Sequence, residues 1–239
     1  MPFINSFKSL YDLKVYNAQI VNSIGVLEVS EHDPKASLKS LQINKPGVVL
    51  NGFNCSLLKG MPDITEKSSS FFKDLDCDGT VVYRTGNCNT FLFVELKSKF
   101  DTAKLYHALN QVLCSFFKFL RMSSICEGFD LDGLNVHFII ACQDFQDAVE
   151  KGSATQQISQ LSQLYATNPL YDLLQRVVID SGKETTRVYN LENFFLKTAQ
   201  NSDQKIADIP ISTLLKNKKI KLTLKRTTNY GDSSASITI

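Results

Sequence analysis

The chain of 239 residues contains no tryptophan, only three histidines and no Cys-x-x-Cys pair. His32, His107 and His137 lie far apart, and Cys55, Cys77, Cys88, Cys114, Cys126 and Cys142 are scattered. Structural zinc sites draw four such ligands from closely spaced pairs, so a zinc-organised fold is not expected. A disulfide framework is not expected in a chain of this size either. Cys114 and Cys142 sit in apolar runs and read as small core residues. No glycine-rich phosphate-binding loop is present, so ATP hydrolysis is not indicated. No apolar run approaches the roughly 20 residues of a membrane span. The opening Met1-Pro2-Phe3-Ile4-Asn5 lacks the basic-then-apolar pattern of a secretory signal. A cytoplasmic location with no membrane partner is therefore expected. The net charge is only +2. Affinity for nucleic acid would have to come from a local basic face, not from the molecule as a whole.

What the chain does have is phenylalanine, sixteen of them, and a length that suits one large domain. The most informative stretch runs from 78 to 97. Asp78 opens a strand-like run, and Glu95-Leu96-Lys97 closes the apolar run Phe91-Leu92-Phe93-Val94. Between the two lies Arg84-Thr85-Gly86-Asn87-Cys88-Asn89, rich in turn formers. An antiparallel hairpin centred between Gly86 and Asn87 places Asp78 opposite Glu95 and Asp76 opposite Lys97. Side chains alternate along a strand, so Glu95 and Lys97 share a face. Two opposed carboxylates repel unless a positive group joins them. A divalent cation would serve, and Lys97 adds a second positive charge. The competing reading is a solvated strand with outward polar residues; Asp12-Leu13-Lys14 shows how cheaply an acid-x-Lys triplet arises.

A helix is predicted over 101–122, capped by Asp101, with Leu105, Leu109, Leu113, Phe116 and Leu120 on its apolar face. Its other stripe is Lys104, His107, Gln111, Ser115 and Lys118, either a solvated face or the border of a cleft that meets phosphates. His107 reads as solvated. A buried strand is predicted from 134 to 142 beside the hairpin. Strands are also expected over 20–29, in part of 41–50 and from 230 to 239. Helices are expected within 144–164, over 170–178 and over 191–198. The stretch 216–226 alternates Ile220, Leu222 and Leu224 with Lys219, Lys221 and Lys225. It reads as a half-buried strand with a cationic outer face. Those lysines either guard a sheet edge or contact phosphates.

An acid, a hairpin, Glu-x-Lys and then a helix resembles the PD-(D/E)XK nuclease superfamily over about Glu66 to Cys142. The motif residues are Asp78, Glu95 and Lys97. Cys77 stands where the family name has proline, a frequent variation. Of the Gln-x-x-x-Tyr found on the following helix in some exonuclease-like members, only Gln111 matches, since Ser115 follows it. The resemblance implies an α/β, restriction-endonuclease-like αβββαβ core with a central mixed sheet. That core would span about 54–142 in a single domain, with a C-terminal helical and β appendage over about 150–239. It also implies hydrolysis of phosphodiester bonds with Mg²⁺ (or Mn²⁺), held by Asp78, Glu95 and the backbone carbonyl of Leu96. Lys97 would act on the attacking water or the transition state.

Relatives often add an acid from a preceding helix. Glu66 is the candidate here, Asp76 its alternative, and Gln111 a further auxiliary residue. Lys104, Lys118, Lys219, Lys221 and Lys225 are the candidate nucleic-acid contacts. The expected activity is that of an endo- or exodeoxyribonuclease in restriction, phage defence or repair. The expected partner is nucleic acid, DNA foremost, with a homodimer or a partner protein of a multi-component system also in view. Two rivals stand beside this reading. One is a catalytically inactive nuclease fold that binds nucleic acid or a protein partner. The other is an unrelated α/β interaction protein whose hairpin acids are surface residues.

Overall fold

In the computed structural model of the protein, the residues described are 2–11, 20–54, 58, 75–179, 182–197 and 203–239. Eight strands form one mixed sheet: β1 Ile20–Ser30, β2 Ser40–Asn54, β3 Gly79–Thr85, β4 Cys88–Lys97, β5 Asn135–Cys142, β6 Glu184–Asn190, β9 Lys219–Arg226 and β10 Ser234–Thr238. Two short strands, β7 Phe195–Lys197 and β8 Asp203–Lys205, pair with each other. The sheet runs β1-β2-β3-β4-β5-β9-β6, and β10 joins β2. Pairings from β1 to β4 are antiparallel; β4 with β5 and β5 with β9 are parallel. Five α-helices are described: α1 Pro2–Leu10, α2 Thr102–Ser123, α3 Ala148–Leu164, α4 Pro169–Ile179 and α5 Thr213–Lys216. No helix among the described residues is long and apolar enough to cross a membrane.

Side-chain alternation sorts the core into two layers. Phe91 and Phe93 of β4, Phe138 and Ile140 of β5, and Leu222 and Leu224 of β9 pack with the helices. Leu92, Val94, Leu96, Ile139 and Ala141 pack on the other face. There they meet Leu27 and Val29 of β1, Leu41 and Ile43 of β2, and Ile237 of β10. The first half of β2, flanked by β1 and β10, therefore forms a wing that folds back over the centre of the sheet. The bend comes where the β1–β2 register shifts between Ile24 and Val26, at Gly25 (φ 79°). With both faces covered, the middle of β4 is one continuous apolar run, as the sequence suggested.

The helix expected over 101–122 is α2, and the Asp101 side chain accepts from Lys104 N at 2.8 Å as its N-cap. The expected strand over 134–142 is β5, buried and parallel to β4.

Among the described residues β1, β2, β3 and β4 precede α2, so the strands paired with the hairpin begin before the expected core start at about 54. Two expectations need correction. The segment after Cys142 is not an appendage: its β9 and β6 continue the same sheet beyond β5. Of the helix expected over 191–198, the described residues 191–197 form only one 3-10 turn, Leu191–Asn193, and then β7. Phe194 and Phe195 are drawn into the core, Phe194 edge-on to Phe138 at 5.8 Å, and extended backbone suits that better than a helix.

Candidate active site

The hairpin forms in the predicted register, from Thr85 opposite Cys88 to Gly79 opposite Val94. Gly86, with φ 60°, supplies the left-handed residue of the turn. The ladder stops at Gly79, where a Cβ would lie 2.7 Å from Val29 Cγ1 of the wing. This close approach brings the chain of β1 across the start of β3.

Asp78 lies just beyond the last ladder pair, and its polar groups turn to β4 instead. Its amide donates to Glu95 Oε2 at 3.2 Å, and its Oδ2 accepts from the Leu96 amide at 2.7 Å. The N–H and C=O of one strand residue point to the same edge, so the Leu96 carbonyl also faces the Asp78 side. Glu95 is only 1% exposed and pairs through Oε1 with the Lys97 ammonium. Lys97 Nζ also donates to Gln111 Oε1 at 2.9 Å, and Gln111 Nε2 donates to the Asp76 carbonyl at 3.0 Å. Asp78, Glu95, Leu96, Lys97, Gln111 and the Asp76 backbone therefore meet at the C-terminal end of β4.

Burial holds the Glu95 carboxyl well above the usual carboxylate range, and the Asp78 charge pushes it further. Lys97 pulls the other way, and Glu31 adds to the rise. The Cys77 thiol is pushed far up, chiefly by burial, so it stays protonated and is no nucleophile. Cys77 is held as structure: its amide donates to Ser115 Oγ at 2.8 Å and its thiol to the Gly79 carbonyl at 3.3 Å.

Asp78 and Lys97 open to two different clefts, and the buried Glu95 lines neither. Asp78 lines one of about 240 Å³ with Glu28 and His32. Lys97 lines the other, about 700 Å³, with Glu31, Lys35, Lys99, Lys104 and His107. Lys104 is thus placed beside the site, and His107 borders it.

Other expectations fail or fall elsewhere. Glu66 lies outside the described residues. Asp76 turns its carboxylate away from Lys97 to Lys118, with Oδ1 2.8 Å from Nζ. Lys118 is 3% exposed, so it is no nucleic-acid contact. The stripe Gln111–Ser115–Lys118 is not solvated, because the C-terminal half of α2 passes beneath the entry of β3. Lys219, Lys221 and Lys225 do not border this site. They alternate with Ile220, Leu222 and Leu224, which face the helices, so they point to the opposite side of the sheet from Glu95 and Lys97. Nor do they guard an edge, since β9 lies between β5 and β6.

Glu31 was not foreseen. It sits after β1, beyond the reach of any local motif, and only the folded wing brings it to Lys97. Its one visible signal is the polar cluster Glu31-His32-Asp33 before Pro34, which reads equally as a loop.

No family model, no curated protein and no solved structure matches the chain.

Proposed function

We propose that the chain is a divalent-metal-dependent nuclease of the PD-(D/E)XK kind, hydrolysing phosphodiester bonds in nucleic acid, with DNA as the expected substrate. The observation that carries this reading is the convergence of Asp78, Glu95 and Lys97 at one strand end, in the register the motif requires. Three further features support it. The strand series β2-β3-β4, the helix α2 and the parallel strand β5 fit the βββαβ portion of the expected core. Ligand sites of open α/β sheets gather at the carboxyl ends of parallel strands, where this cluster sits. Lys35, Lys97, Lys99 and Lys104 line the adjoining cleft and outnumber its two acids, Glu31 and Asp33.

Among the described residues no three His, Cys, Asp or Glu side chains gather as metal ligands, so the set proposed for a hard cation such as Mg²⁺ or Mn²⁺ is a smaller one. Two carboxylates are held together against their repulsion, one of them buried, and a strand carbonyl faces the same side. Mg²⁺ takes few protein oxygens and keeps several waters, so so small a set suffices. Asp78, Glu95 and the Leu96 carbonyl would hold the ion, which would supply charge neutralisation and a more acidic water.

The chain's own residues do the rest. Glu95 orients the Lys97 ammonium from one side and Gln111 from the other, fixing a positive group beside the carboxylates. Lys97 there stabilises negative charge developing on phosphate and orients the attacking water. The Leu96 amide locks the Asp78 carboxylate in place. Roles in restriction, phage defence or repair suit such an activity.

The test is cleavage of single- and double-stranded DNA and RNA with Mg²⁺, with Mn²⁺ and with chelator. Cleavage that needs the metal and disappears in Glu95→Gln supports the reading. Nucleic-acid binding without cleavage under every condition would favour the inactive module.

A further inference from the structure

The sheet face opposite the helices is covered only in part. The wing packs over β3, β4 and β5. Beyond it, β9 and β6 present Lys219, Lys221 and Val188, all exposed, Val188 by 58%. With Tyr83, Thr90 and His137 these residues line a groove of about 370 Å³ that has no acidic residue among the described residues of its lining.

Lys219 and Lys221 lie two apart on one strand face, about 6.6 Å at the usual rise. Neither makes an ion pair among the described residues. The other lysines nearby are engaged. Lys225 pairs with Glu184 at 3.1 Å, and Lys218 donates to the carbonyls of Leu131 and Asp132. Lys45 lies over the Tyr83 ring, 5.2 Å from its centroid, and donates to the Ile239 carbonyl at 3.0 Å.

The groove floor is cross-linked by side-chain hydrogen bonds. His137 Nε2 lies 2.7 Å from Thr223 Oγ1, which in turn lies 2.7 Å from Thr186 Oγ1, tying β5, β9 and β6 together. Because β9 is an interior strand, its lysines have no edge to protect. Two adjacent ammonium groups with no ion-pair partner among the described residues are complementary to a repeating anion.

We propose that this groove binds the phosphodiester backbone of nucleic acid at a second site, separate from the Asp78–Glu95–Lys97 cluster. Thr90, at the groove, and Glu95 are five residues apart on β4, about 17 Å at ~3.3 Å per residue. Their side chains lie on opposite faces of the sheet. A short oligonucleotide at the cluster would not span to the groove, whereas a longer molecule that bends around the sheet would engage both. The groove needs neither metal nor catalysis, so it goes beyond the nuclease reading and does not depend on it.

The experiment uses the full chain carrying Glu95→Gln, without metal, so cleavage does not intrude. Binding of a labelled 40-nucleotide strand and a 40-base-pair duplex is followed by fluorescence anisotropy across a salt series, with probe lengths of order tens of nucleotides giving several phosphate contacts. The double change Lys219→Gln/Lys221→Gln is expected to weaken binding at least about fivefold. It should also flatten the log–log salt slope by roughly 0.7 per lost contact on the single strand or 0.9 on the duplex. Lys219→Arg/Lys221→Arg should retain both. Melting temperature checks that the variants fold.

An unchanged dissociation constant and slope would overturn the proposal, as would failure of the parent to bind nucleic acid at all. Tighter binding of polyglutamate than of DNA at these lysines would overturn it in favour of an acidic protein partner. Groove-dependent binding without metal-dependent cleavage by the unmodified chain would leave the proposal standing and defeat only the nuclease reading.

Discussion

Gln111 ties Lys97 to the backbone of Asp76, accepting from the ammonium at 2.9 Å and donating to the carbonyl at 3.0 Å. One helix residue thus joins the end of β4 to the entry of β3, and it fixes where the ammonium points. Gln111→Ala should slow single-turnover cleavage by on the order of ten- to a hundredfold, since small misplacements of a reacting group carry such costs. Metal affinity and melting temperature should change little. A variant with the parent rate would show that Glu95 alone positions Lys97.

The ion pair of Asp76 and Lys118 lies in the interior, with both residues under a tenth exposed. Removing one partner leaves a buried charge without its counter-ion. Lys118→Met alone should therefore destabilise the fold by about 3–5 kcal/mol. The double change Asp76→Leu/Lys118→Met should recover much of that loss, because no stranded charge remains. Denaturant unfolding of the two variants measures this. If the double variant is no more stable than Lys118→Met, the pair matters for something other than charge compensation.

His137 titrates far below its usual range, at about 3, because it is buried and because Lys221 lies opposite it across β5 and β9. Its folded pKa is thus below the unfolded one. Between about pH 6.5 and pH 3 the unfolded chain binds the extra proton, so stability rises with pH through that window. The contribution is about 1.4 kcal/mol for each pH unit below the unfolded pKa. Carboxylates titrate over the same range, so the comparison is with His137→Gln. That variant should be less stable at pH 7 but should lose stability less steeply on acidification. Parallel stability curves would mean that His137 is protonated in the fold without penalty.

Much of this arrangement was legible because it is local. Turn formers between two apolar runs set the hairpin register, and with it the meeting of Asp78 and Glu95. Asp101 marked the start of α2, and the Ile/Leu–Lys alternation marked both faces of β9. What escaped the sequence is which element covers each face. Lys118 looks solvated by helical spacing, yet its partner Asp76 is 42 residues away, just before β3. The lysines of β9 look like edge guards until β6 is seen to pair outside them. Glu31 joins the site only because β1 and β2 fold back at Gly25, a bend that no short window of sequence encodes.

Lys97 decides whether the cluster is an active site. A protonated lysine donates but does not ligate a metal. Lys97→Ala should therefore keep most divalent-ion affinity while losing cleavage by on the order of a hundredfold or more. Lys97→Arg should not fully restore it, because a planar guanidinium neither matches a compact ammonium nor yields a proton readily. The decisive measurement pairs Mg²⁺ titration by calorimetry with single-turnover cleavage of one DNA substrate, for the parent and Lys97→Ala. Retained Mg²⁺ binding with cleavage lost is the expected result. Cleavage by Lys97→Ala at the parent rate would contradict it, leaving Lys97 a salt-bridge partner of Glu95 and nothing more.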